Sequence, residues 1–130
     1  MPISTTSPDL AGRARRSLDP ELIRRVQSAR RARSAFLPAE LFADAAWDML
    51  LELFACELEE KRLSVGSLSA ASGVPMTTTL RWIQTLEDRR LMCRQTDTQD
   101  RRRLWVSLSS AGSAAMRRYF ASVSSAFLAL

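Results

Sequence analysis

The chain has 130 residues, enough for one domain around a single core. It is 46% hydrophobic and 25% charged with 4 Gly and 5 Pro, and no apolar run approaches the ~18–20 residues that cross a bilayer. Its net charge is +5 and it has no histidine, which excludes Ser-His-Asp and Cys-His catalysis and any His-ligated metal.

Residues 1–18 are Ser, Thr, Pro and Arg with little to bury, and read as a mobile basic arm. They lack the apolar centre of a secretory signal, so a cytoplasmic location is expected. A helix is predicted over 19–36, with Asp19 as cap, Pro20 at the first helical position and Glu21 facing the positive helix end. Its stripe of Leu22, Ile23, Val26 and Ala29 is narrow and flanked by Arg24, Arg25, Arg30, Arg31 and Arg33. So thin a stripe is poor material for a monomer core, and suits either a helix packing on a partner chain or a frayed extension.

After Pro38, Asp44 can cap a helix in which Trp47, Leu50, Leu51, Phe54 and Leu58 recur at helical spacing. Asp48, Glu52 and Glu59 lie off that stripe and read as solubilising, or as partners for Arg. Leu63-Ser64-Val65 is a brief strand candidate, and a short helix over about 67–72 precedes Gly73-Val74-Pro75. A second helix runs from Met76 to about Arg89. Leu91–Thr96 and Arg103–Leu108 flank the polar turn 97–102 and read as a hairpin. Ser109 can cap a last helix through about Leu128, with Ala115, Met116, Tyr119, Phe120, Val123 and Phe127 as its apolar positions.

Charge is segregated along this order. Residues 1–35 hold eight Arg against three acids, 36–75 hold Lys61 and Arg62 against seven acids, and 76–130 hold nine Arg against four acids. An acidic scaffold between two basic working surfaces is the natural reading. The cations are eighteen Arg and the single Lys61, and the planar guanidinium suits phosphate and guanine edges. Neither GxxxxGK[ST] nor GxSxG occurs, so neither an enzyme nor a cofactor is expected. Cys56 and Cys93 read as small buried hydrophobes, too few for a disulfide framework or a zinc site.

The short helix, the turn opened by Gly73 and the longer helix make a helix-turn-helix. Gly73 supplies a positive φ, Val74 plugs the angle between the helices and Pro75 suits the start of the second. On the wheel of 76–86, Met76, Trp82, Ile83 and Leu86 gather on one side. Thr77, Arg81, Gln84 and Thr85 lie opposite, with Thr78 at the margin. That outer face holds hydroxyls, an amide and an Arg but no acid, the chemistry that bonds phosphate oxygens and base edges. The hairpin tip adds Arg101, Arg102 and Arg103. Neighbours on a strand point to opposite faces, so Asp100 is expected to stiffen the turn by pairing one Arg while another reaches outward toward a minor groove. Trp47, Trp82 and Trp105 are expected in the core.

Residues 44–120, about three-fifths of the chain, resemble the winged helix-turn-helix domain of MarR-type bacterial transcription regulators. The matching residues are Leu68, Gly73-Val74, Thr77-Thr78, Arg81, Leu86-Glu87 and Leu91, then Asp97 and Asp100-Arg101-Arg102, then Val106-Ser107-Leu108-Ser109 and Gly112. The resemblance implies a mainly α fold with a small β-hairpin in the order α/α/β/α/α/β/β/α. It divides the chain into the arm 1–18, the helix 19–36 and a winged helix-turn-helix domain over 37–130. It also implies a homodimeric repressor built through N- and C-terminal helices, with helix 76–89 in the major groove of double-stranded DNA and the wing 94–104 in the minor groove. The implied DNA-binding set is Thr77, Thr78, Arg81, Gln84, Thr85, Arg101, Arg102 and Arg103.

The chain departs from the family in several places. Gln99 replaces a usual wing Arg, and Arg90 stands where a Gly commonly ends the recognition helix. Ser72 and Thr79 replace larger aliphatics, which predicts a looser local core. The helical region ending at Leu130 is short. No residue cluster identifies an effector ligand. The alternative reading is a winged-helix module whose basic surfaces bind an acidic protein.

Overall fold

The computed structural model describes residues 19–38, 41 and 44–122. The expected arm over 1–18, and Val123 and Phe127 of the last helix, lie outside them. Among the described residues the order is α1 (Pro20–Ala32) with a 3-10 turn over Arg33–Ala35, α2 (Ala45–Leu58), β1 (Leu63–Ser64), α3 (Val65–Ser72), α4 (Met76–Asp88), β2 (Met92–Thr96), β3 (Leu104–Leu108) and α5 (Ser110–Ser122). This is the predicted order. Two boundaries differ by more than one residue: α1 gives way to a 3-10 turn at Arg33, short of the predicted 36, and Val65, expected to end the strand, is the first residue of α3, because the Ser64 side chain accepts the Ser67 N–H and starts the helix there.

α2 is the hub. Met49, Leu51, Leu53, Phe54, Ala55 and Cys56 are all buried, so the helix is covered on nearly every side rather than along one stripe. Asp44 precedes it without a side-chain cap bond, its carboxylate being drawn instead to Arg30 at 3.2 Å. Phe54 stacks on Phe120 of α5 with centroids 5.6 Å apart, and Trp47 packs near-parallel to Phe120 at 6.5 Å.

The narrow stripe of α1 is not left for a partner or to fray. Ile23 and Val26 are buried within the chain, against α2. The thin apolar contact is supplemented by ion pairs: Arg24 bonds Glu52 at 2.6 Å and Glu59 at 2.8 Å, and Arg30 bonds Asp48 at 2.6 Å. Glu52 is therefore no solvated acid; it is buried and also accepts from Gln27 at 2.9 Å. Burial pushes its carboxyl upward, but the bonds from Arg24 and Gln27 outweigh this and hold it below its ordinary value. The neighbouring Cys56 thiol, buried beside that carboxylate, is pushed up to about 11.

β3 is the middle strand of a three-stranded antiparallel sheet in the order β1-β3-β2, with Leu63 opposite Val106 and Arg94 opposite Val106 on the other edge. Leu104, Val106 and Leu108 alternate with Trp105 and Ser107, so one face packs on the core and the other carries Trp105, Gln95 and the exposed Cys93. The expectation of a buried Cys93 fails because its side chain lies on the face of β2 turned away from the core. Ser109 caps α5, its hydroxyl accepting from the Gly112 N–H at 3.0 Å while donating to the Arg90 carbonyl at 2.6 Å.

Candidate nucleic-acid interface

The helix-turn-helix forms by local rules. Gly73 closes α3 at φ 69°, a conformation that costs glycine nothing, and Pro75 in extended geometry precedes α4. Thr79, Ile83 and Leu86 turn inward. Thr79 is fully buried, yet its hydroxyl donates to the Pro75 carbonyl at 3.1 Å, so the polar atom is satisfied where the family carries an aliphatic. Met76 and Trp82, predicted on the core side, are exposed: three inward residues fill the space against α3 and the sheet, and the wheel's margins face out.

Of the predicted contact residues, Thr77 and Arg81 lie exposed on the outer face. Thr85 is exposed with its hydroxyl donating back to the Arg81 carbonyl at 3.1 Å. Thr78 is half-buried and, with Trp82, Arg30 and Arg31, lines a cleft of about 590 Å³ between α1 and the turn. Gln84 is engaged rather than open. It donates to Asp88 at 3.0 Å and accepts from Arg94 at 3.2 Å. Arg94 also bonds Glu87 at 2.6 Å, which ties strand β2 of the hairpin to α4.

The wing tip is built around two aspartates. Asp97 accepts the backbone N–H groups of Gln99 at 2.8 Å and Asp100 at 3.4 Å. The Gln99 bond above all, with Arg103 and Arg62 nearby, holds its carboxyl below the usual range. Asp100 accepts the Arg102 N–H at 3.1 Å and faces its guanidinium at 3.4 Å, as expected of a stiffened turn. That pairing leaves the Arg102 side chain 93% exposed. Arg101 is exposed as well. Arg103 folds back over the Trp105 ring, 5.4 Å from its centroid.

Sequence reading missed one cation of this cluster. Arg62 lies more than forty positions from Trp105, yet β1 pairs with β3 and places its guanidinium over the same ring at 5.4 Å. Only a forecast that the brief strand joins the hairpin would have found it. Trp105 itself is half-buried in contact with both guanidinia rather than in the core, and its indole N–H has no acceptor among the described residues.

Helix and wing share a side of the molecule. Met76, the first residue of α4, lines one cleft of about 400 Å³ with Arg102 and Arg103 of the wing and Ser64 at the start of α3. Solved structures share this fold. Staphylococcus aureus MepR in a DNA-binding conformation superposes with a TM-score of 0.55 at 22% identity, over 64% of this chain and 61% of that one. The fold is a MarR-type winged helix. The S. aureus MepR–DNA complex matches this winged helix at TM-score 0.54 and 24% identity, over 62% of each chain. Lactococcus lactis ZitR matches it at 0.50 and 13%, over 59% of this chain and 49% of that one. The winged helix thus spans about three-fifths of the length of the first two. No protein-family model and no curated protein matches the chain.

Proposed function

We propose that the protein is a transcription regulator that binds double-stranded DNA as a homodimer, with α4 in the major groove and the wing in the adjacent minor groove. The shared cleft carries this reading: the start of α4 and the arginines of the wing open on one side, as a helix and a ribbon must to straddle a phosphate backbone. Thr77, Thr78 and Arg81 are the base-reading candidates, with Thr85 and Gln84 at the helix's far end; the engagement of Gln84 with Arg94 and Asp88 makes it the weakest of the set. Arg101, Arg102, Arg103 and Arg62 supply the phosphate contacts. Large apolar side chains left exposed after α1, Phe36, Leu37 and Leu41, support pairing with a second copy. The resemblance to MarR-type regulators supports repression as the outcome of that binding.

The test is duplex binding by fluorescence anisotropy at low and moderate salt, followed by selection from a random library. The reading requires salt-sensitive binding and recovery of two-fold sites with half-sites about one helical turn apart. Absence of duplex binding at low salt would instead favour a winged helix that binds an acidic protein.

A further inference from the structure

The outer face of α4 is not wholly polar. Leu80 is 40% exposed, three residues beyond Thr77 and next to Arg81, one helical turn after Met76, which lines the wing cleft. The buried residues of α4 are Thr79, Ile83 and Leu86, so Leu80 is not a core residue that has slipped its place. At ~100° per residue it sits on one flank of the Thr77–Gln84 ridge, while Thr78 and Thr85 occupy the other. The ridge therefore has a hydroxyl-bearing flank and a hydrocarbon flank.

A DNA major groove offers little to a hydrocarbon. Its base edges are hydrogen-bond donors and acceptors except at one group, the 5-methyl of thymine. A leucine pressed onto a G·C edge would strip water from polar atoms without replacing its bonds. Against a thymine methyl the same side chain removes apolar surface from water on both sides.

Resting on the DNA-binding reading above, we propose that Leu80 is a specificity-determining residue that selects thymine at one position of each half-site by contact with its 5-methyl group. Thr77 and Arg81 then read or anchor the neighbouring steps.

The experiment uses the full chain and a duplex recovered from the random-library selection. Each thymine is replaced in turn by deoxyuridine, which removes the methyl and keeps every hydrogen-bonding group, and Kd is measured for wild type, Leu80→Ala and Leu80→Ser. Because Leu80 is exposed, all three are expected to fold, which a thermal melt checks. In wild type one thymine per half-site should lose about three- to fivefold in affinity, the worth of one buried methyl. In both variants that same replacement should cost nothing. Wild-type binding indifferent to every deoxyuridine, or an undiminished loss in the variants, overturns the thymine-reading role while leaving DNA binding standing. Failure of all three proteins to bind or select any duplex overturns the DNA-binding reading and this inference with it.

Discussion

Gly112 sets its bare α-carbon against the Leu91 carbonyl, leaving no room there for a Cβ. The contact locks the first turn of α5 onto the entry to β2, and the Leu91 oxygen also accepts the Ser109 N–H at 3.0 Å. The obstructing atom is backbone and cannot rotate away. Gly112→Ala is therefore expected to destabilise the fold by about 1–3 kcal/mol, the usual cost of overpacking. Urea unfolding checks it as a lower midpoint at unchanged m-value.

Arg90 ends the helix-to-strand turn at φ 60°, the left-handed geometry for which the family's glycine is suited. The arginine carries the strain of that geometry. Arg90→Gly should raise stability by about 1 kcal/mol or less, since relief of the Cβ clash is partly offset by the freer unfolded chain. Arg90→Val should lower it, because a β-branched residue tolerates that conformation worst. Thermal melts of the pair should move in opposite directions.

Arg24 pins α1 to α2 through Glu52 and Glu59. For Glu59 the bond from Arg24 is the chief cause of a lowered carboxyl; for Glu52 burial opposes the lowering and Arg24 and Gln27 outweigh it. Carboxyls that fold into lowered values stabilise the native state above their unfolded value of 4.5, and that contribution is lost as pH falls through the folded values. Stability should thus hold from neutral pH down to about 5 and decline below. Arg24→Met should cost about 1–3 kcal/mol at neutral pH and flatten the acid decline. Parallel acid profiles for the two proteins would remove the linkage.

On the proposed DNA-binding reading, Arg81→Ala should weaken binding to the selected site by about 1–3 kcal/mol and relax its sequence preference. An equal loss on every duplex would make Arg81 a phosphate anchor instead. A dimer neutralising about eight phosphates should show a log–log salt slope of about −7. Removal of one wing arginine per protomer should make that slope shallower by about two.

What the sequence could determine was local. Capping by Asp19 and Ser109, the glycine turn at Gly73 and the alternation along β3 each depend on neighbours within a few residues, so the order of elements and the helix-turn-helix were legible. Tertiary packing decided the rest. It drew the thin stripe of α1 into the core because acids on α2 face Arg24 and Arg30, and it turned Met76, Leu80 and Trp82 outward because three residues already fill the inner side of α4. Pairing of β1 with β3 then brought Arg62 and Arg103 to one indole. Such meetings depend on which surfaces remain once distant segments have packed, and no window of neighbouring residues contains that information.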